Sequence, residues 1–313
     1  MTPPEGGQTG ARLKEKRFQL LILSPLKRTW GIKMKTLYVT DLDGTLLNTH
    51  EKINEYSKEV INRLVEEGML FTYATARSSI SAAAATEGLS TKVPIIAYNG
   101  AFIIEPSDGK LLLSAYFTEE QKKHIRNVFE ENQVSPLVYA YVNGIEKVTW
   151  RTITENEGIR DYLSRRKGDK RMNPLTEERA DELYLGDTFY YTCIGSREEL
   201  LPVYEALKDN EEYNCLFHPE IYREEYWCEV LPRKATKANA IMELKKLWKC
   251  DRIVSFGDAV NDLPMFEISD ECYAVANAVE ELKKAATGII ESNENDGVAK
   301  WLLENAQIEK NKG

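Results

Sequence analysis

Apolar residues recur along this chain in two rhythms, and the rhythms divide it. Short β-rich apolar runs stand at 37–41, 70–75, 94–98, 252–257, 272–276 and 288–291. Between the first two, residues 54–67 place Val60, Ile61, Leu64 and Val65 at helical spacing. Residues 239–248 carry a similar stripe in Ile241, Leu244, Leu247 and Trp248, and 279–286 reads as another helix. Strands alternating with helices imply right-handed β-α-β crossovers and a parallel sheet covered on both faces. Ligands in such sheets bind beyond the carboxyl ends of the strands.

The middle of the chain, about 115–228, has another texture. Thr118 is placed to cap a helix over 119–132 that turns Val128 and Phe129 inward. Extended runs follow at 136–142, 145–152, 189–195 and 221–231, with a helix at 198–209. Aromatic residues are frequent and charges of both signs are interspersed. This reads as an α+β domain inserted into an α/β domain, which would then comprise 34–114 and 229–308.

Composition narrows the class. The 313 residues are 42% hydrophobic and 29% charged, which is globular in character. A net charge of −9 argues against a broad nucleic-acid or acidic-membrane surface. The five cysteines (Cys193, Cys215, Cys228, Cys250, Cys272) form no CxxC pair, which fits reduced thiols and a cytoplasmic setting. Residues 1–33 differ from the rest, with seven basic residues against Glu5 and Glu15. They are expected to be a disordered extension, or to lie upstream of the true start, with the fold opening at Met34; 309–313 is expected to be a tail. The apolar run from Phe18 to Leu23 is too short for a membrane span.

The chemistry sits at the strand ends. The first run delivers Asp41-Leu42-Asp43-Gly44-Thr45-Leu46, two carboxylates entering a glycine turn. A calcium loop would need glycine at its sixth position and glutamate at its twelfth, yet Gly44 is fourth and Lys52 twelfth. A solvated Asp-Gly turn is the plain alternative. Against it, the second run ends in Thr75-Ala76-Arg77, the third in Asn99-Gly100, and a later one in Gly257-Asp258-Ala259-Val260-Asn261-Asp262. Each of these has a structural reading too: Thr75 as a mere strand end, Asn261-Asp262-Leu263-Pro264 as a helix cap with an early proline. Together they gather carboxylates, a hydroxyl and amides on the ligand-binding edge, which suits Mg²⁺-assisted phosphoryl transfer. Asp41, the Asp43 carbonyl and Asp258 would suffice for Mg²⁺, which keeps several waters. Asp262 could order the water shell or pair with a lysine, Thr75 could donate to a phosphoryl oxygen, and a lysine could balance the developing charge.

These residues, with Lys237, resemble the four motifs of the haloacid dehalogenase superfamily, and more narrowly its Cof-type phosphatases of subfamily IIB. Further matching stretches are Pro94 to Ala101, Val275-Ala276-Asn277-Ala278 and Ser292 to Ala299, so the resemblance covers about 34–308. It implies a Rossmann-like parallel-sheet core with an inserted C2B cap. It also implies Asp41 as nucleophile forming an aspartyl-phosphate, and Asp43 as the acid that protonates the leaving oxygen and then the base that activates water. Thr75, Lys237 and Asn261 would bind phosphate, Asp258 would hold Mg²⁺, and Asn99 and Asp262 would contact substrate or support the site. The second motif departs from the usual Thr-Gly-Arg at Ala76, a change expected to be tolerated because Thr75 supplies the hydroxyl. Of Lys234 and Lys237, family spacing and the start of the following helix favour Lys237.

The resemblance implies a small phosphorylated metabolite as substrate, sugar phosphates first, and a monomer or small homo-oligomer with no nucleic-acid or membrane partner. A phosphomutase of the phosphomannomutase type is an alternative, and a non-catalytic phospholigand-binding protein another. Arg151, Arg165, Arg166, Arg223 and the aromatics of the middle segment are candidates to contact the non-phosphate part. None stands out as a specificity residue.

Overall fold

The computed structural model describes residues 34–219 and 224–308. The expectations for 1–33, for 309–313 and for Arg223 lie outside the described residues.

The core opens with strand β1 (Thr36–Thr40), buried at every position, as a central parallel strand should be. Helix α1 (Glu55–Glu66) packs Val60, Ile61, Leu64 and Val65 inward, and β2 (Leu70–Tyr73) and the short helix α2 (Ser79–Ala85) follow. Strands β3 (Ile95–Ala97), β4 (Phe102–Ile104) and β5 (Leu111–Ser114) form an antiparallel sheet of their own. The third run was expected in the parallel sheet, and its attachment there is slight. Ala74 bridges Ile96 in parallel and the Thr75 N–H donates to the Ile96 carbonyl at 3.0 Å, but the other pairings of β3 go to β4.

The insertion begins near Ala115. Helix α3 (Glu119–Glu131) starts with a reciprocal cap between Thr118 and Gln121. Strands β6 (Leu137–Val142) and β7 (Ile145–Arg151), helix α4 (Glu157–Ser164), strands β8 (Met172–Leu175) and β9 (Asp187–Gly195), helix α5 (Arg197–Leu207) and strands β10 (Tyr213–Pro219) and β11 (Tyr226–Pro232) complete it. The six strands form one sheet in the order β10-β11-β9-β6-β7-β8. Side chains alternate across it. Val138, Tyr191, Cys193, Cys228 and Val230 join Phe129 of α3 and Leu200 and Val203 of α5 in one apolar cluster. Leu137, Tyr139, Tyr190, Ile194 and Leu231 on the opposite face belong to the cluster that fills the core. Residues 229–232 remain paired within this sheet, Tyr213 opposite Pro232 and Val230 opposite Tyr191, so the expected return to the core at 229 falls inside a strand.

After Pro232 the chain re-enters the core through α6 (Lys237–Trp248), β12 (Arg252–Gly257), α7 (Leu263–Glu267), β13 (Glu271–Val275), α8 (Glu280–Ala285), β14 (Gly288–Ile290) and α9 (Gly297–Asn305). The core sheet is wholly parallel in the order β14-β13-β12-β1-β2, which sets β1 beside β12. The carboxyl ends of those two neighbours carry Asp41 and Asp258. Among the described residues, no helix is long and apolar enough to cross a membrane.

Candidate active site

Asp41 follows β1 and stays registered to the sheet, its N–H donating to the Phe256 carbonyl at 2.9 Å. Lys237 is the first residue of α6, whose cap Thr236 accepts from the Asn239 N–H. That start aims the lysine inward: Nζ donates to Asp41 Oδ1 at 2.6 Å and to Asp262 Oδ1 at 2.7 Å. All three side chains are buried, the lysine only 2% exposed. Lys234 is exposed on the preceding turn.

Asp262 Oδ2 accepts the N–H groups of Asp258 and Ala259, so Asp262 folds the loop after β12 back on itself and braces the lysine. Asp258 Oδ1 accepts the Thr45 hydroxyl at 2.9 Å. A Cβ at Gly44 would lie 2.4 Å from Asp258 Oδ2, and Gly44 has φ +75°, so glycine is required there twice over. Asn277 donates to the Gly44 carbonyl at 2.7 Å and Asn293 to the Leu47 carbonyl at 2.9 Å. The two asparagines, which follow β13 and β14, fasten the turn after Asp41, and the Asn293 N–H donates to Asn277 Oδ1.

Carboxylate oxygens of Asp41, Asp258 and Asp262 lie within 4.8 Å of one another. Burial pushes the Asp41 carboxyl up to about 8, against the pull of Lys237, and Asp262 and Asp258 add repulsion. Burial likewise lifts Asp258 to about 6, although the Thr45 hydrogen bond opposes it. Burial would lower the Lys237 ammonium, yet Asp41 and Asp262 hold it above its ordinary value. Such a cluster of buried acids with one lysine is short of positive charge. Its donors are all hard oxygens, which suits Mg²⁺. Both oxygens of Asp262 are already committed, leaving Asp41 and Asp258 as the carboxylates able to hold the ion.

The other expected residues divide. Thr75 is buried; its hydroxyl oxygen accepts the Arg77 N–H at 3.1 Å and its carbonyl accepts the Asn99 N–H at 2.8 Å. Asn99 stands at φ +51°, its Oδ1 buried without a hydrogen-bond partner. Asp43 is turned outward, its side chain 48% exposed and paired with Arg77. Asn261 is exposed in the turn Val260–Asp262, with no side-chain tie to Asp41 among the described residues. Ala76 is exposed without a positive φ, so no glycine is needed there. Arg77, Thr45, Asn277 and Asn293 carry connections that the sequence reading gave no role, although all four lie inside or beside the matched motifs.

The sequence profile of the haloacid dehalogenase-like hydrolases matches residues 38–302. This chain belongs to that family. Within this hydrolase family it stands with the Cof-type phosphatases. It is 27% identical over 292 residues to the 5-amino-6-(5-phospho-D-ribitylamino)uracil phosphatase YwtE of Bacillus subtilis, covering 84% of this chain and 95% of that one. The crystal structure of TM0651 from Thermotoga maritima superposes with a TM-score of 0.70 at 26% identity, covering 89% of this chain and 99% of that one. The HAD subclass IIB sugar phosphatase BT4131, 20% identical, shares the fold with a TM-score of 0.64 over 86% of this chain and 98% of its own. The protein is a phosphoric monoester hydrolase of this family, with an α/β core and an inserted cap.

Proposed function

We propose that this hydrolase is an Mg²⁺-dependent phosphatase of small phosphorylated metabolites, sugar and polyol phosphates first, working through an aspartyl-phosphate. The observation that carries the reading is the buried contact of Lys237 with Asp41, beside an Asp258 free to share a cation. Asp41, the Asp43 carbonyl and Asp258 would hold Mg²⁺, which would offset the charge of the phosphoryl oxygens. A carboxylate oxygen of Asp41 attacks phosphorus, and the bond from phosphorus to the ester oxygen breaks. Asp43 gives that oxygen a proton. Asp43 then takes a proton from water as the water attacks phosphorus, the bond to Asp41 breaks, and phosphate leaves. Lys237 stabilises the charge on the transferring group, with Thr75 and Asn261 as its further donors. Asn99 and Asp262 take supporting roles. The insertion acts as the cap, excluding water and contacting the non-phosphate part of the substrate.

The test is phosphate release from a panel of phosphorylated metabolites in Mg²⁺, including the ribityl phosphate for which YwtE is named. Turnover of at least one member is expected, and Asp41→Asn should abolish it while the protein still melts cooperatively. Substantial hydrolysis by that variant would overturn the role given to Asp41.

A further inference from the structure

Three consecutive residues after β3 adopt positive φ: Tyr98 at 50°, Asn99 at 51° and Gly100 at 95°. Left-handed backbone is uncommon for an aromatic residue, and each such non-glycine position is strained and persists only where its surroundings hold it. The backbone of this turn faces the second motif. The Tyr98 N–H donates to the Arg77 carbonyl at 3.0 Å, and the Asn99 N–H to the Thr75 carbonyl at 2.8 Å. Gly100 rests against the start of α6, where a Cβ would lie 2.1 Å from the Thr236 carbonyl oxygen. One turn therefore touches the segments that carry Thr75, Arg77 and Lys237.

The Tyr98 side chain goes the other way, into the inserted domain. Its ring meets Phe189 edge-on with centroids 4.9 Å apart and Tyr139 at 6.1 Å. Its hydroxyl donates to Glu146 and accepts from Arg171 Nη1 at 2.8 Å. Arg171 also binds that same Glu146 at 2.7 Å and pairs with Asp169. Glu146 and Arg171 are 10% and 11% exposed, so their ion pair is shielded from solvent and fixes the phenol from both sides.

We propose that Tyr98 is a positioning residue through which Glu146 and Arg171 of the inserted domain set the phosphate-binding edge of the core. The proposal rests on the phosphatase reading above, because it gives Thr75 and Arg77 a phosphate and an acid–base partner to be positioned for. The domain holds the ring and hydroxyl, the held ring keeps the backbone left-handed, and that backbone presents two N–H groups to the carbonyls of Thr75 and Arg77. With the clamp loosened, Tyr98 relaxes toward an ordinary conformation and the Thr75 hydroxyl loses its fixed position.

Inorganic phosphate, which carries no leaving group for the cap to grip, separates this role from ordinary shaping of a substrate pocket. The inhibition constant of phosphate against p-nitrophenyl phosphate hydrolysis is measured for wild type, Tyr98→Phe and Glu146→Gln, with thermal melting as the check on folding. Both variants should weaken phosphate inhibition about tenfold, because the charge-assisted hold on the phenol is lost in Tyr98→Phe and reduced to a neutral hydrogen bond in Glu146→Gln, and lower kcat/KM by a similar factor for every ester. If Tyr98→Phe does not fold, Glu146→Gln carries the test. Unchanged phosphate inhibition in both variants overturns the proposal, whether or not KM rises for bulky esters. A wild-type protein that releases no phosphate from any ester would instead overturn the phosphatase reading.

Discussion

Arg77 grips the carboxylate of Asp43 with two nitrogens, Nε reaching Oδ2 at 2.8 Å and Nη2 reaching Oδ1 at 2.5 Å, while Nη2 also binds Glu51 at 2.7 Å. The hydrogen bond that Arg77 donates to Asp43 heads the interactions that raise the guanidinium above its ordinary value. Asp43 is half-exposed, and an exposed carboxylate on a turn would otherwise sample several rotamers. A planar fork restricts it to one, which a point ammonium cannot do.

Arg77→Ala and Arg77→Lys should therefore mimic weakened proton transfer. Turnover of alkyl phosphates, whose leaving oxygen needs a proton, should fall about 10–100-fold, a part of the roughly 10²–10⁴-fold that general acid catalysis supplies. Turnover of p-nitrophenyl phosphate should fall much less, because its leaving group departs as the anion. Parallel steady-state kinetics on the two esters make the comparison, and equal losses on both would show that Arg77 does not act through Asp43.

The left-handed turn offers a second test. Gly100→Ala places a methyl 2.1 Å from a backbone oxygen at φ +95°, so α6 or the turn must move. Urea denaturation should show a loss of roughly 3 kcal/mol or more. Gly109→Ala is the control: its φ is +73° but nothing lies within 4 Å, so only the backbone strain remains, about 1 kcal/mol. Similar losses at both positions would mean that the contact with Thr236 is not tight.

Asp169 gives the pH dependence. The Arg171 hydrogen bond holds its carboxyl below the ordinary 3.8. The unfolded chain takes up that proton more readily than the folded one, so the stability from this pair is fully present above the ordinary value. It is lost as pH falls through the lower folded value. The stability difference between wild type and Asp169→Asn should be constant near neutrality and shrink in acid below 3.8. Denaturation at a series of pH values reads it directly, and a difference independent of pH would contradict the assignment.

Much of this was legible in the sequence, for an identifiable reason. Central parallel strands are buried on both faces, so β1 and β12 read as continuous apolar runs, and their ends name Asp41 and Asp258 directly. The stripes of α1 and α6 were as clear, and the latter placed Lys237 at a helix start. Elements without such a pattern were missed. Strand β8 reads Met-Asn-Pro-Leu, β10 mixes Asn and His into its run, and α2 is Ser-Ile-Ser-Ala-Ala-Ala-Ala with no large apolar stripe. The long-range ties were beyond local reading. Asn277 and Gly44 are separated by 233 residues, and Tyr98 and Arg171 by 73, so no period or spacing connects them. The strand-end position of Asp43 gave no hint that its carboxylate is held outward by Arg77.

Asp258 separates stability from metal chemistry. Its carboxylate sits among buried acids and is raised to about 6 by burial, so its charge opposes folding when no cation is present. Asp258→Asn keeps an oxygen for the Thr45 hydroxyl and removes that charge. Without metal the variant should melt at or above the wild-type temperature. Millimolar Mg²⁺ should raise the wild-type midpoint, since a ligand at about 100 times its Kd adds about 2.7 kcal/mol, and should leave the variant unmoved. Hydrolysis by the variant should fall more than about 100-fold, and chelation should silence the wild type. The two readouts must move in opposite directions: a variant that is destabilised without metal yet still shifted by Mg²⁺ would place the ion elsewhere, and full wild-type turnover after chelation would remove it from the reaction.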